Sequence, residues 1–276
     1  MMLNNITIVG GIVLFNPDLN LLQQNILTLL PQVDLLVLID NSDHTADPVL
    51  KMAGEKVSIF SNNKNLGIAR ALNQIFEFAE KHNADWVLTM DQDSVAPDNM
   101  IFEYFKYLDS SIGTLCPVLF DRNMQAKPET FDGTKDIKEC ITSGSLVNVS
   151  AWKAVFGFDE KLFIDGVDFD FCERLRRAGF RVVSVGDIIL SHAIGNITMR
   201  KFLFWNVAVK NHTAFRKYYI ARNTIYLAKK NGTKARVLKS YLQVIKQLGI
   251  VLLYEADKGN KVRAILRGTR DAIKGF

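Results

Sequence analysis

Asp85-Trp86-Val87-Leu88-Thr89-Met90-Asp91-Gln92-Asp93 is the stretch that decides the fold class. A short apolar run leads straight into two carboxylates, and Pro97 follows, a residue suited to the first turn of a helix. This predicts a buried strand that ends on an acidic loop. In extended backbone, residues two apart point the same way, so Asp91 and Asp93 face one side. Two carboxylates on one side can hold a hard cation such as Mg2+ or Mn2+ against phosphate oxygens. Two solvated acids in a loop are the plainer alternative.

Working back from this stretch, the chain alternates strands and helices. Ile6 to Phe15 reads as a buried strand closed by Asn16-Pro17-Asp18. Leu19, Leu22, Ile26, Leu29 and Leu30 follow at helical spacing. Leu35 to Ser42 and Val57 to Asn63 read as further strands, and Ala69, Leu72, Ile75, Phe76 and Ala79 mark a second amphipathic helix. This order predicts an α/β fold with a mostly parallel central sheet flanked by helices. Polar clusters sit just after each strand: Asn16 to Asp18, Asp40 to Asp43, Asn62 to Asn65 and Asp91 to Asp93. In open α/β sheets ligands bind beyond the carboxyl ends of the strands, so these clusters are expected along one rim.

Working forward, Ile141 to Val149 reads as a strand, with Ser150 as cap of a short helix through Val155. Asp168 to Ala178 reads as a helix with Phe169, Cys172 and Leu175 on one face, stopped by Gly179. Arg181 to Val185 reads as a strand, and everything from Phe202 on as helical. The chain is therefore divided into an α/β domain over 1–205, expected to carry the ligand site, and a helical, basic extension over 206–276.

The 276 residues are 48% hydrophobic and 23% charged, which predicts a packed core and excludes bulk disorder. Cys116, Cys140 and Cys172 are odd in number and lack CxxC spacing, which argues against a disulfide framework or a zinc site and for a reducing, cytoplasmic setting. No signal peptide is evident, and the longest uninterrupted apolar run of the tail, Leu248 to Tyr254, is far short of the roughly 20 residues of a membrane span. The whole chain carries +5, yet residues 234–276 alone hold ten Lys/Arg against three Asp/Glu. The basic surplus thus belongs to the tail, where it suits either an anionic membrane surface or solvated helix faces.

Each candidate site residue has a bland reading beside its functional one. Asp40 suits a turn, or an acceptor for the N3–H of a pyrimidine base. Asn62 to Gly67 suits a helix-capping turn, or a loop that approaches a nucleoside closely. Asp165, Asp168 and Asp170 crowd a helix start, where acids are favoured; crowding should also raise the pKa of at least one, as a general base requires. His192 after a strand is commonly structural, and is also a candidate third metal ligand.

Together these residues resemble family 2 inverting glycosyltransferases of the GT-A fold. The similarity runs over about residues 6 to 230 in consistent order. Asn16-Pro17 resembles the first-strand nucleotide motif, Asp40-Asn41 the base-reading segment, Asn65 and Gly67 with Asn73 the helix start, and Asp91 to Asp93 the DxD motif. Thr142 to Ser145 resembles the acceptor-side small-residue strand, and Phe158 through Arg174 the acidic block, with Val167 where an acid is common. The resemblance implies that Asp168 is the catalytic base and that Asp91, Asp93 and His192 hold Mg2+ or Mn2+. It further implies donor contacts from Asn16, Pro17, Asp40, Asn41, Asn65, Gly67, Asp91 and Arg222, the last within the Tyr219 to Asn223 segment. The pairing of Ile164 to Cys172 with Tyr219 to Asn223 is most similar to bacterial rhamnosyltransferases. It implies dTDP-L-rhamnose as donor and a glycan or lipid-linked acceptor in cell-surface polysaccharide synthesis, with the enzyme cytoplasmic or peripheral on the inner membrane face. Galactofuranosyl or hexosyl transfer from a UDP-sugar is the alternative. A nucleotidyltransferase is disfavoured because Asn16-Pro17-Asp18 stands where a Gly-rich basic loop belongs, and a nucleic-acid-binding module because the basic tail lacks interleaved aromatics.

Overall fold

The computed structural model describes residues 6–121, 128, 130–192, 198–202 and 205–275. They form two compact units, Met1–Phe163 with Val167–Ala193, and Ile164–Gly166 with Ile194–Phe276.

The first unit is built on an eight-stranded sheet. Its strands are β1 (Ile8–Leu14), β2 (Leu35–Asp40), β3 (Val57–Ser61), β4 (Trp86–Asp91), β5 (Ile112–Asp121), β6 (Thr134–Asp136), β7 (Ser145–Asn148) and β8 (Arg181–His192), in the spatial order β3-β2-β1-β4-β7-β5-β8-β6. β1 to β4 run parallel, as their continuous apolar runs require of strands buried on both faces. β7 is antiparallel to β4 and β5, and β6 to β8. Helices α1 (Leu19–Leu29), α2 (Asp47–Leu50), α3 (Ile68–Lys81), α4 (Met100–Phe105), α5 (Val149–Ala154) and α6 (Val167–Arg177) flank it. Leu22, Ile26 and Leu29 of α1 join Ile12, Leu14, Leu36, Leu38 and Leu88 in one core.

Several local expectations are corrected. Pro97 stands in the turn before α4, its carbonyl accepting from the Met100 amide, rather than inside the first helical turn. The strand expected over Ile141 to Val149 shrinks to Ser145–Asn148, because Gly144 takes a left-handed φ of 76°. Asn148 caps α5 in place of Ser150: its carboxamide oxygen accepts from the Ser150 and Ala151 amides. Phe169 is 46% exposed, while Asp170 and Phe171 take the buried face of α6. β8 extends seven residues beyond Val185, to His192.

The second unit contains a hairpin, β9 (Thr198–Phe202) with β10 (Trp205–Val209), whose second strand lies inside the stretch from Phe202 on read as helical. Helices α7 (Ala214–Asn231), α8 (Lys234–Tyr254) and α9 (Lys258–Lys274) follow, the first two capped by the Thr213 and Thr233 hydroxyls. Ala221, Ile225, Val244, Val251, Ile265 and Ala272 form its core. Gly268 permits a close helix crossing, since a Cβ there would fall 2.3 Å from the Tyr218 carbonyl oxygen. The expectation that no segment approaches a membrane span is corrected too: by length and composition α8 is long and apolar enough to cross one. Its lysines interrupt the apolar run, so counting consecutive apolar residues misses it.

Candidate functional site

The four polar clusters do lie along one rim. Leu14 is in register with Asp40, Asp40 with Ser61, and Val13 with Asp91, so β1 to β4 all end at the same edge. Hydrogen bonds then stitch the strand ends together. The Asn16 amide donates to Ser42 Oγ at 2.8 Å, and the Asn41 amide to the Leu14 carbonyl at 2.8 Å. Asn16 holds a left-handed φ of 46°, which Asn tolerates better than most residues, and Pro17 leads from it into the Asp18 cap of α1.

Asp40 is 1% exposed. Its Oδ1 accepts from the Ser42 amide at 2.8 Å, whereas its Oδ2 is buried without a hydrogen-bond partner. A buried acceptor left unmet costs roughly 1–3 kcal/mol, so this atom is an open valence on the rim. Its neighbours are already committed. Asn41 Nδ2 donates to the Gly67 carbonyl and its Oδ1 accepts from Asn62 Nδ2, which is in turn locked to Gln74.

Gly67 has φ 87°, and its amide is held by Asn65 Oδ1 at 2.9 Å. A Cβ on Gly67 would sit 2.7 Å from the Phe163 ring and carbonyl oxygen, so the close approach seen here is to Phe163. This gives the glycine a packing reason of its own, beside the nucleoside approach expected of the loop. Asn73 is likewise a clamp. It donates to the Phe158 carbonyl and Glu160, and it accepts from the Phe158 amide and Trp152 Nε1.

Asp91 ends β4 half-buried, and Asp93 follows exposed. The residue between them has a role the motif does not advertise. Gln92 Oε1 accepts from the Phe15 amide at 2.8 Å and its Nε2 donates to the Phe15 carbonyl, pinning the acidic loop to the end of β1. Buried Asn25 on α1 donates to the Asp91 carbonyl, and the Asp91 amide donates to Ser143 Oγ. Gln92 was legible in principle, because alternation turns it away from its two acidic neighbours. Asn25 was legible as a polar residue on the apolar stripe of α1. Ser143 had no local signal.

The oxygen-only set of Asp91 and Asp93 suits Mg2+ or Mn2+, with phosphate oxygens and water able to complete the shell. Among the described residues, no group of three His, Cys, Asp or Glu side chains converges to hold a metal ion. The side chain of His192 lies outside the described residues.

Asp168 stands in the first turn of α6, where the helix N-terminus favours a carboxylate. It borders a small apolar recess walled by Ile141, Val147, Phe158, Phe171 and Cys172. Two of the three acids expected to crowd here are paired with cations. Asp170 is buried against Arg174 at 2.7 Å, and Arg174 also donates to the Val155 and Gly157 carbonyls. Asp165 belongs to the second unit and pairs with Arg216 at 2.7 Å. Cys172 is buried, and its hydrogen bond to Cys140, 3.7 Å away, together with burial pushes its thiol well up, which suits a packing role.

Arg222 is 7% exposed within the second unit, not on a helix surface. Its Nε donates to Asn223 Oδ1, and its guanidinium lies over the Tyr219 and Tyr218 rings at 4.7 and 5.7 Å. Asn223 in turn donates to the Ile164 and Asp165 carbonyls.

Residues 11–149 match the model of the glycosyl transferase family 2 domain. Over 292 aligned residues the chain is 28% identical to the dTDP-rhamnosyl transferase RfbF of Shigella flexneri, covering 99% of this chain and 97% of that protein. Among solved structures, TarS 1–349 of S. aureus superposes with a TM-score of 0.63 at 13% identity, over 97% of this chain and 81% of TarS 1–349. GalNAc-T7, crystallised with UDP, GalNAc and Mn2+, gives 0.64 at 14% identity, over all of this chain and 57% of GalNAc-T7. These two likenesses are of fold, and they bear out the GT-A expectation.

Proposed function

Since the chain belongs to glycosyl transferase family 2, and is therefore a glycosyltransferase, we propose that it transfers L-rhamnose from dTDP-L-rhamnose, with inversion, to a hydroxyl of a glycan or lipid-linked acceptor. The observation that carries the site assignment is the open valence of Asp40. Its unpartnered Oδ2 offers a buried acceptor to the N3–H of a thymine or uracil, on the same rim as the acidic pair. Identity to a dTDP-rhamnosyl transferase along nearly the whole chain supports thymidine and rhamnose.

On this reading Asn16, Pro17 and Asn41 shape the nucleoside edge, and Asn65 with Gly67 holds it rigid through Phe163. Asp91 and Asp93, with His192, would hold Mg2+ or Mn2+, which supplies charge neutralisation on the leaving diphosphate. Asp168 takes the proton of the acceptor hydroxyl, whose oxygen attacks the anomeric carbon as the bond to the diphosphate oxygen breaks. Arg222, preorganised on two tyrosine rings, is assigned to a phosphate of donor or acceptor. The active site faces the cytoplasm, where nucleotide sugars are available.

Asp40 reads N3–H in thymine and uracil alike, so it does not choose between dTDP and UDP. Thermal shift with dTDP, UDP and their sugars, in Mg2+ and in Mn2+, tests the donor. A larger shift with dTDP, followed by rhamnose transfer to acceptor, is expected. A preference for UDP would replace this donor with a UDP-galactofuranose or UDP-hexose.

A further inference from the structure

Helix α8 carries two apolar faces where a soluble helix needs one. Ser240, Val244 and Val251 are buried against the other helices of the second unit. Leu238, Leu242, Ile245, Leu252 and Leu253 are each between 54% and 64% exposed. At about 100° per residue these five fall within roughly 100° of arc, on the side away from Val244 and Val251. The helix holds Lys234, Arg236, Lys239 and Lys246 and no acid. Lys239 and Lys246 flank the exposed stripe on one side by the same geometry. Of the three acids that follow, Glu255 is buried between Lys217 and Lys261, Asp271 is engaged by Tyr218 and Arg270, and exposed Asp257 lies beyond the end of α8, where it accepts from Asn260. One exposed acid past the helix end does not balance the four cations of α8. Scattered exposed leucines need no explanation, but a continuous stripe edged by lysines does.

We propose that the exposed stripe of α8 lies in the interface of an anionic lipid bilayer, with the helix axis parallel to the membrane plane. Apolar residues bury at the acyl boundary, while Lys239 and Lys246 reach up to anionic headgroups. Charge favours this occupant over a second copy of the chain, whose own basic stripe would repel it. Crossing the membrane is disfavoured: each lysine near the centre of a span costs about 2.5–3.5 kcal/mol, and the opposite face is already used in packing. The inference stands on the helix itself and requires neither the donor nor the base assigned above.

The full chain is tested by co-sedimentation with vesicles of phosphatidylcholine alone and of phosphatidylcholine mixed with phosphatidylglycerol. The wild type should sediment with the mixed vesicles and weakly with the neutral ones. Leu242→Glu with Ile245→Glu should lower partitioning by about tenfold or more, with unchanged thermal unfolding. Lys239→Ala with Lys246→Ala should lower binding to mixed vesicles by about fivefold per lysine removed and leave neutral vesicles unaffected. This second pair keeps the test decisive if the glutamates disturb folding. Equal binding to both vesicle types, or wild-type sedimentation of both double variants, overturns the proposal. So does a dimer in light scattering that Leu242→Glu dissociates without any vesicle binding, and so does retention after alkaline carbonate washing, which would mark a span.

Discussion

Asp40 in the sheet unit and Glu255 in the helical unit are carboxylates buried to the same degree, at 1% and 2% exposure, and they are buried for opposite ends. Glu255 has both oxygens filled, Oε1 by Lys217 at 2.6 Å and Oε2 by Lys261 at 2.8 Å. Asp40 has one oxygen filled by a backbone amide and the other unmet. Asn25 Oδ1 and Arg174 Nη2 are buried without a partner as well, so an unmet atom calls for an explanation rather than marking a site by itself, and the one proposed for Asp40 is the N3–H of the donor base. Glu255 illustrates the converse, since a fully satisfied buried ion group fixes structure and leaves nothing to offer a substrate.

The largest effect should come from breaking the filled group. Glu255→Ala leaves two buried ammonium groups without their counter-charge, and should cost about 3–5 kcal/mol in denaturant unfolding. A loss under about 1 kcal/mol would mean that water or other acids satisfy the lysines, and that the contrast with Asp40 is not real. Asp168→Asn comes next. It should leave dTDP binding intact while lowering kcat by about 100-fold or more, because general-base catalysis contributes on that order. Near-normal turnover in that variant would remove Asp168 as the base.

Asp40→Asn is the sharpest test of the comparison, because the two readouts should move apart. The amide can still accept from Ser42, but it can present an N–H where the base N3–H needs an acceptor. Affinity for dTDP by calorimetry should fall about tenfold to 100-fold, matching the roughly 1–3 kcal/mol of an unmet buried hydrogen bond. Stability should hold or rise slightly, since a buried charge is removed. Loss of stability with unchanged affinity would place Asp40 beside Glu255 as a structural acid.

The half of the sheet that carries the rim was legible because parallel strands buried on both faces leave uninterrupted apolar runs such as Leu35 to Ile39. What escaped lacks that signature. β5 contains Pro117, which breaks the strand pattern and is accommodated at a register shift against β8. β6 is Thr-Lys-Asp at the sheet edge, with no apolar residue at all. β9, Thr-Met-Arg-Lys-Phe, carries two cations and, among the described residues, pairs with β10 alone. Roles were harder to read than elements. The Asp91 and Asp93 pair was visible, yet its anchoring by Gln92 to Phe15 joins residues 77 apart, and the use of Gly67 depends on Phe163. Such contacts follow from tertiary packing and leave no periodicity in the chain.

Within the helical unit, the contrast extends to pH. Burial first, and the nearby Arg216 cation second, hold the His212 imidazole down to about 4. An unfolded histidine takes up its proton near 6.5, so between about 6.5 and 4 the unfolded chain binds a proton that the folded chain refuses. Stability supplied by neutral His212 is therefore complete above about 6.5 and drains as the pH falls toward 4. Glu255 behaves differently in window though not in sign. Burial works to raise its pKa, but hydrogen bonds from Lys217 and Lys261 outweigh it and leave it below the ordinary glutamate value. Its contribution persists above that value and is lost only as the pH drops through the lowered one. Denaturant midpoints measured from pH 7 to 5 should thus decline in the wild type and decline less in His212→Gln, with the Glu255 group unaffected over that range. Parallel declines in the two proteins would assign the acid sensitivity elsewhere and leave His212 neutral for no energetic consequence.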